Sequence, residues 1–345
     1  MTDEAPAENA PDARPGDTAL RTGKVILRMQ KLTKRYGARL AVDALDLEVR
    51  RGDIFGFLGP NGAGKTTTIR MCLGLIAPAA GSVEILGRDV ARDGARILPH
   101  VGALVEQPAL YPYMSGRNNL RAVGDALGGV TEARIDTVLD LVALGGRDRD
   151  RVKTYSLGMK QRLGIAIALL QDPDLLILDE PTNGLDPAGI VEMRDLLRAL
   201  AAAGKTIFIS SHVLAEVQQI CTRVAIINHG RLVVASSVAE LTDAHGEFVV
   251  TVDRSHEVLA LLQSQPWGAT ARLDGDGHII TPAPDGQSAG LNLYLMRAGF
   301  VPGSIAPHQQ DLEHIFLRLT TSSPSGAATA SPQTTGSDTA AGDPQ

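Results

Sequence analysis

Asp53-Ile-Phe-Gly-Phe-Leu-Gly-Pro-Asn-Gly-Ala-Gly-Lys-Thr-Thr-Thr68 is the stretch on which the fold turns. Asp53 to Leu58 reads as an apolar strand, Gly59 to Thr66 satisfies GxxxxGK[ST], and a helical run, TTTIRMCLGL, begins at Thr66. That order of strand, glycine loop and helix is the context the pattern requires to bind phosphate. The glycines let the backbone wrap an anion, and the N–H groups of the loop and of the new helix point at its oxygens. Gly59, Pro60, Asn61, Gly62, Ala63, Gly64, Lys65, Thr66 and Thr67 are therefore the candidate phosphate contacts. Lys65 supplies positive charge at the β- and γ-phosphates, and the Thr66 hydroxyl suits Mg²⁺. The ligand this implies is a nucleoside triphosphate.

Downstream, Leu175-Leu-Ile-Leu-Asp-Glu180 is an apolar strand ending in two carboxylates. Neighbouring residues of a strand point to opposite faces, so the two take different tasks. Asp179 suits the magnesium shell, and Glu180 suits orienting and polarising an attacking water. Between Lys24 and about Thr242, β-rich runs alternate with helical stretches. Their continuous apolar character implies central strands covered on both faces, the pattern of an α/β sheet.

The rest of the chain limits the alternatives. With 345 residues, 44% of them hydrophobic and 21% charged, there is material for a large buried core, and a disordered or fibrous chain is excluded. The formal charge of −6 argues against a nucleic-acid partner. The apolar runs around residues 163–178 are interrupted by Gln171, Asp172 and Asp174, so none reaches the ~18 residues of a membrane span. The acidic, proline-bearing N-terminus lacks the pattern of a secretory signal, which implies the cytoplasm. Cys72 and Cys221 have no metal-ligand spacing, and both are expected to be reduced and buried on helices. Residues 1–22 and 321–345 read as disordered tails. Residues 245–320 read as a separate small α+β domain, with a strand at EFVVTVD, a helix at HEVLALLQ, a strand at HIITPA, a helix at LNLYLMRAG and a last helix over 311–319. A βαββαβ order there would be ferredoxin-like.

Taken with further motifs, residues 23–244 resemble the ATP-binding subunit of an ABC transporter, a P-loop ATPase with a mixed sheet and a helical subdomain at about 107–172. Lys34-Arg-Tyr-Gly37 resembles the A-loop, in which Tyr36 would stack on adenine. Tyr155-Ser-Leu-Gly-Met159, followed by Lys-Gln-Arg162, stands in the place of the signature motif before a helix. It departs from the common LSGGQ wording at Leu157 and Met159 but keeps Ser156 and Gly158. Val101-Gly-Ala-Leu-Val-Glu-Gln-Pro108 stands at the Q-loop, where either Glu106 or Gln107 would face the magnesium. A carboxylate there would make hydrolysis more dependent on metal concentration. Pro181-Thr-Asn-Gly-Leu-Asp-Pro187 matches the D-loop with Asp186, and Thr206-Ile-Phe-Ile-Ser-Ser-His212 matches the H-loop, which brings His212 to the γ-phosphate.

The resemblance implies ATP and Mg²⁺ as cofactors, with Lys65, Glu180 and His212 as the catalytic group. It also implies a homodimer in which Ser156, Leu157, Gly158, Met159 and Asp186 of one subunit meet the ATP of the other. A separately encoded integral membrane permease would be the partner, reached from the cytoplasmic face of the membrane. The YSLGMKQRLGIA wording is similar to that of bacitracin- and daunorubicin-type resistance exporters. PALYPYMSGRNNL resembles the face that touches the permease, although its tyrosines could equally belong to the core. The rival reading, a soluble ABC-type ATPase acting on ribosomes or DNA, usually brings a second P-loop or a coiled-coil insertion between Lys65 and Asp179. The sequence has neither. The small C-terminal domain would either stabilise the dimer or regulate its closure.

Overall fold

The computed structural model describes residues 23–309 together with Leu312, Glu313, Ile315 and Phe316. The expected tails lie outside the described residues, as does much of the expected last helix over 311–319. In chain order, β1 (Val25–Tyr36) and β2 (Arg39–Arg50) form a hairpin, and β3 (Ile54–Leu58) leads to α1 (Lys65–Cys72). Next come β4 (Ala80–Ile85), β5 (Arg88–Asp89), α2 (Val90–Ile97) and β6 (Val101–Leu104). Helices α3 (Gly116–Ala126), α4 (Glu132–Leu141) and α5 (Leu157–Ala168) separate β6 from β7 (Leu175–Asp179). They are followed by α6 (Pro187–Ala202), β8 (Thr206–Ser211), α7 (Leu214–Ile220), β9 (Arg223–Asn228), β10 (Arg231–Ser237) and α8 (Val238–Thr242).

The central sheet runs β10-β9-β3-β8-β7-β6, parallel throughout except for β10. Strands β3, β7 and β8 are buried at every position, which is why they are continuous apolar runs and not alternating ones. The period of two is visible instead in which core each residue joins. Ile54, Leu58, Leu176, Leu178, Ile207 and Ile209 pack with the helices, among them Leu120 of α3, Leu163 of α5 and Leu197 of α6. Phe55, Phe57, Leu175, Ile177 and Phe208 pack on the other face with Ile69 and Met71 of α1 and with the antiparallel sheet β2-β1-β4-β5. On that face the Phe55 and Phe208 rings stack with centroids 5.8 Å apart. Both faces are thus covered, and only the strand ends remain available for chemistry.

Both cysteines are buried, and burial pushes the Cys72 thiol up to about 12 and raises that of Cys221. Cys72 ends α1 as expected, but Cys221 follows α7 in extended backbone and is not helical. The third sheet begins with β11 (Asp243–Val252), which crosses the boundary expected at residue 244. After it come α9 (Ser255–Gln263), β12 (Arg272–Leu273), β13 (Ile279–Pro282), α10 (Ser288–Arg297) and β14 (Pro302–Gln309), a βαββαβ order. The sheet order is β12-β13-β11-β14, antiparallel at every pairing. It has a core of its own, in which Phe248, Val250 and Ile279 meet Val258 and Leu262 of α9 and Leu291 and Leu295 of α10.

Candidate functional site

Parallel strands in an open α/β sheet present their carboxyl ends, and the loops that follow them, on one side. Here the phosphate loop follows β3, Glu180 follows β7, His212 follows β8 and Glu106 lies just beyond β6. The pairings Leu58↔Ser211 and Asp179↔Ser210 bring the first three together.

The loop is shaped by glycine where nothing else fits. Gly64 has φ 109°, and a Cβ there would sit 2.5 Å from the Ala41 carbonyl oxygen. A Cβ at Gly59 would lie equally close to the Ile227 carbonyl oxygen. Helix α1 begins at Lys65 with no side-chain cap, which leaves its first N–H groups for a ligand. Tyr36, Pro60, Asn61, Gly62, Gly64, Lys65, Thr66, Thr67, Glu180 and His212 line one cavity of about 400 Å³. Gly59 and Ala63 stand behind it; Ala63 is buried, and its carbonyl accepts from Gly230 N at 3.0 Å. Arg39, which the sequence reading missed, also lines the cavity and donates to Gly62 O at 3.3 Å. Its only signal was a basic residue just after the Gly37-Ala38 turn that follows Tyr36.

Inside the cavity Lys65 is 6% exposed, and its Nζ donates to Gly59 O at 2.7 Å and lies 3.1 Å from Glu180 Oε1. The other Glu180 oxygen lies 2.7 Å from His212 Nδ1. One carboxylate therefore joins the lysine of the phosphate loop to the histidine of the next strand. Asp179, 3% exposed, accepts from the Ser210 hydroxyl, whose oxygen accepts from Glu180 N at 3.0 Å. Ser210 fixes both neighbours, and Glu180 holds a left-handed φ of 51°. Such backbone is costly for a non-glycine residue and concentrates at functional sites.

A second cavity of about 340 Å³ shares Thr66, Glu180 and Asn183 with the first and adds Glu106, Gln107, Gln161 and Asp179. Asn183 and Gln161 were not singled out from sequence, although both lie within motifs read there. Glu106 also has positive φ, 61°, and its carboxylate pairs with Arg70 of α1. The added negative charge expected at this loop is thus offset within the chain.

The signature segment is placed differently. Ser156 is exposed and caps α5, its hydroxyl accepting from Met159 N at 3.2 Å. Leu157 is exposed at the rim of the second cavity, Met159 packs on the helical core, and Gly158 lines neither cavity. Asp186 caps α6 through Gly189 N at 3.1 Å. Tyr111, Tyr113 and Met114 are exposed, Tyr113 by 77%, so the alternative that these tyrosines are core residues is excluded.

The ABC transporter family profile matches residues 42–183, the span from before the phosphate loop to Asn183. The chain is 41% identical over 296 residues to the bacitracin transport ATP-binding protein BcrA of Bacillus licheniformis, covering 85% of this chain and 97% of that one. The chain belongs to the ABC transporter ATP-binding proteins. It is 35% identical to the daunorubicin resistance ATP-binding protein DrrA3 of Streptomyces coeruleorubidus, over 83% of this chain and 93% of that one. A solved structure described as the ATP-binding subunit of an ABC transporter superposes with a TM-score of 0.56 at 30% identity, covering 63% of this chain and 91% of its own. The α/β P-loop fold, the family and the ATPase activity expected from sequence all stand. No helix among the described residues is long and apolar enough to cross a membrane.

Proposed function

We propose that this chain is the motor of an exporter for antibiotic-like compounds, working at the cytoplasmic face of the membrane on a separately encoded permease. Export rather than import is carried over from the similarity to bacitracin transport and daunorubicin resistance proteins. The observation that carries the motor reading is the convergence of Lys65, Glu180 and His212 above the phosphate loop. On this reading ATP enters with its adenine against Tyr36 and its phosphates over Gly59–Thr67, and Lys65 exchanges the Glu180 carboxylate for the β- and γ-phosphates. Glu180, held by His212, then takes a proton from water as the water oxygen attacks the γ-phosphorus and ADP leaves.

Thr66, Asp179 and Glu106 or Gln107 offer oxygen donors around one cavity, a set that fits a hard divalent cation such as Mg²⁺. When bound, it neutralises charge on the β- and γ-phosphates. In the homodimer, Ser156 and Gly158 of the opposite subunit close over the γ-phosphate, with Asp186 at the interface. Closure thus depends on a phosphate that hydrolysis removes. The exposed Tyr111, Tyr113 and Met114 suit contact with the permease. The division proposed is a nucleotide domain from residue 23 to α8, with its helical part at about 107–172, and an accessory domain from β11 to β14, beyond which Leu312 and Ile315 return to the core of the first.

The test is affinity purification of a tagged Glu180→Gln chain from native membranes with ATP present. A polytopic membrane protein should co-purify and can then be assayed with candidate antibiotics. Recovery of ribosomes, nucleic acid or soluble partners alone would overturn the transport reading.

A further inference from the structure

Helix α7 has seven residues and begins two positions after His212, so whatever holds this helix also holds the histidine. Three sets of contacts do so. Glu216 Oε2 accepts from the Thr182 hydroxyl at 2.5 Å, and Thr182 is a buried residue two positions after Glu180. Gln219 accepts from α6, through its side chain from Arg194 and through its carbonyl from Arg198, both at 2.6 Å. Gln218 Oε1 accepts from the backbone N of Leu312 at 3.2 Å. Leu312 lies three residues beyond β14, outside the central sheet in sequence, yet it and Ile315 are buried in the same apolar core as Val217 and Ile220 of α7.

The segments that carry Glu180 and His212 are therefore joined by the pair itself, by Ser210 and, one layer back, by Thr182 and Glu216. The C-terminal sheet is tied to the same helix through Leu312. We propose that α7 is a lever: Glu216 is a positioning residue that sets His212 against Glu180 through Thr182, and the segment at Leu312 lets the C-terminal domain regulate turnover. This rests on the roles given to Glu180 and His212 above. The regulation acts on catalysis and not on binding, because neither Glu216 nor Leu312 lines the nucleotide cavity. A catalytic pair is sensitive to such support, since a shift of about 1 Å in a reacting group can cost up to ~100-fold in rate.

The test uses the full-length protein. ATPase kinetics, equilibrium binding of a fluorescent ATP analogue and thermal melting are compared for Glu216→Ala, Glu216→Gln, Thr182→Val, the Glu216→Ala/Thr182→Val double variant, Leu312→Ala and Gln218→Ala. Glu216→Ala should lower kcat about tenfold with KM and analogue affinity within about twofold of wild type. Glu216→Gln should regain most of the loss, because its amide oxygen still accepts from Thr182. The double variant should be no worse than the worse single variant. Gln218→Ala, which leaves the apolar core intact, and Leu312→Ala should each lower kcat several-fold without weakening analogue binding. The lever is overturned if Glu216→Ala keeps wild-type kcat, if the two losses multiply, if Glu216→Gln restores nothing, or if neither Gln218→Ala nor Leu312→Ala changes kcat. A wild-type chain that neither binds nor hydrolyses ATP sinks the underlying reading and the lever with it, whereas normal wild-type turnover with an unaffected Glu216→Ala sinks the lever alone.

Discussion

Two helix N-termini in this molecule are suited to phosphate, and they are built in opposite ways. Helix α1 starts without a side-chain cap, inside a cavity that also holds Lys65, Glu180 and His212. Helix α5 starts with its first turn satisfied by Ser156, on an exposed surface where Leu157 stands in solvent. The first is a receptor whose groups are already paired with one another and need only exchange those partners for ATP. The second is half a receptor. Its serine must turn from its own helix to an outside anion, and it stands outside the cavity that holds Lys65 and Glu180. On the proposed reading, one subunit would bind nucleotide alone and two would be needed for rapid hydrolysis.

The largest effects should come from the enclosed end. Lys65→Ala removes the cation buried in the cavity and should lower kcat/KM at least ~100-fold, with weaker ATP binding measured at equilibrium. Glu180→Gln should reduce kcat by about 100- to 1,000-fold yet keep ATP affinity, since the amide retains the size of the carboxylate but takes no proton. If the two variants lose binding equally, Glu180 serves the loop and not the water.

The exposed end should behave in the reverse sense. Gly158→Ala fits the single subunit, because the nearest side chain to an added Cβ is Leu185 at 3.8 Å. It should leave melting and single-subunit ATP binding unchanged while lowering hydrolysis about tenfold, because a methyl group then stands where a phosphate must approach an N–H. Ser156→Ala should add a stability cost of ~1 kcal/mol from the lost cap, read as a lower melting temperature. Hydrolysis at wild-type rate in Gly158→Ala would mean that α5 does not meet ATP.

The same contrast explains what the sequence revealed. The buried strands and the phosphate loop were legible because local pattern and chemistry coincide there: Gly59, Gly64 and Lys65 are required by a backbone shape and a charge that no other residues supply. Pairings across the sheet were not legible. Nothing in the wording of Val101–Pro108 announces that Arg70 of α1 will take the Glu106 carboxylate, and nothing near Thr182 points to Glu216. The last strand of the expected βαββαβ order was not located in the sequence; it is β14, which carries Pro302 and Pro307 and lies at the edge of its sheet, where proline is tolerated. Asp186 was read for what it would meet in a partner, while its present hydrogen bond is that of an ordinary helix cap.

A smaller effect concerns the boundary between the two ends. Because Arg70 already offsets Glu106, Glu106→Gln should move the magnesium concentration for half-maximal ATPase by less than about twofold. Arg70→Ala, which frees the carboxylate beside Thr66 and Asp179, should lower that concentration several-fold as the site gains negative charge. A strong effect of Glu106→Gln with Arg70 in place would show that the carboxylate leaves Arg70 for the metal.

The smallest effect lies at the other edge of the same sheet, where the strands begin. Asp174, just before β7, accepts from Arg51, just before β3, at 2.7 Å, and its other oxygen lies 3.1 Å from His100 Nδ1. The Arg51 hydrogen bond holds its carboxyl below the usual carboxylate range against the opposing effect of burial, and His100 adds to the lowering. A carboxyl whose pKa is lower folded than unfolded stabilises the fold above the unfolded value, ~3.9, and loses that contribution as pH falls through the folded value. Wild-type melting should therefore drop progressively below about pH 5, and part of that drop should vanish in Asp174→Asn. At pH 7 the variant should lose only ~0.5–1 kcal/mol, since the pair is partly exposed to water. Its kcat and ATP affinity should stay at wild-type levels, because the groups that act on ATP stand at the carboxyl ends of β3, β7 and β8. A fall in kcat at full folding would mean that the two ends of the sheet are mechanically coupled, and that the separation of a stabilising edge from a reactive one is false.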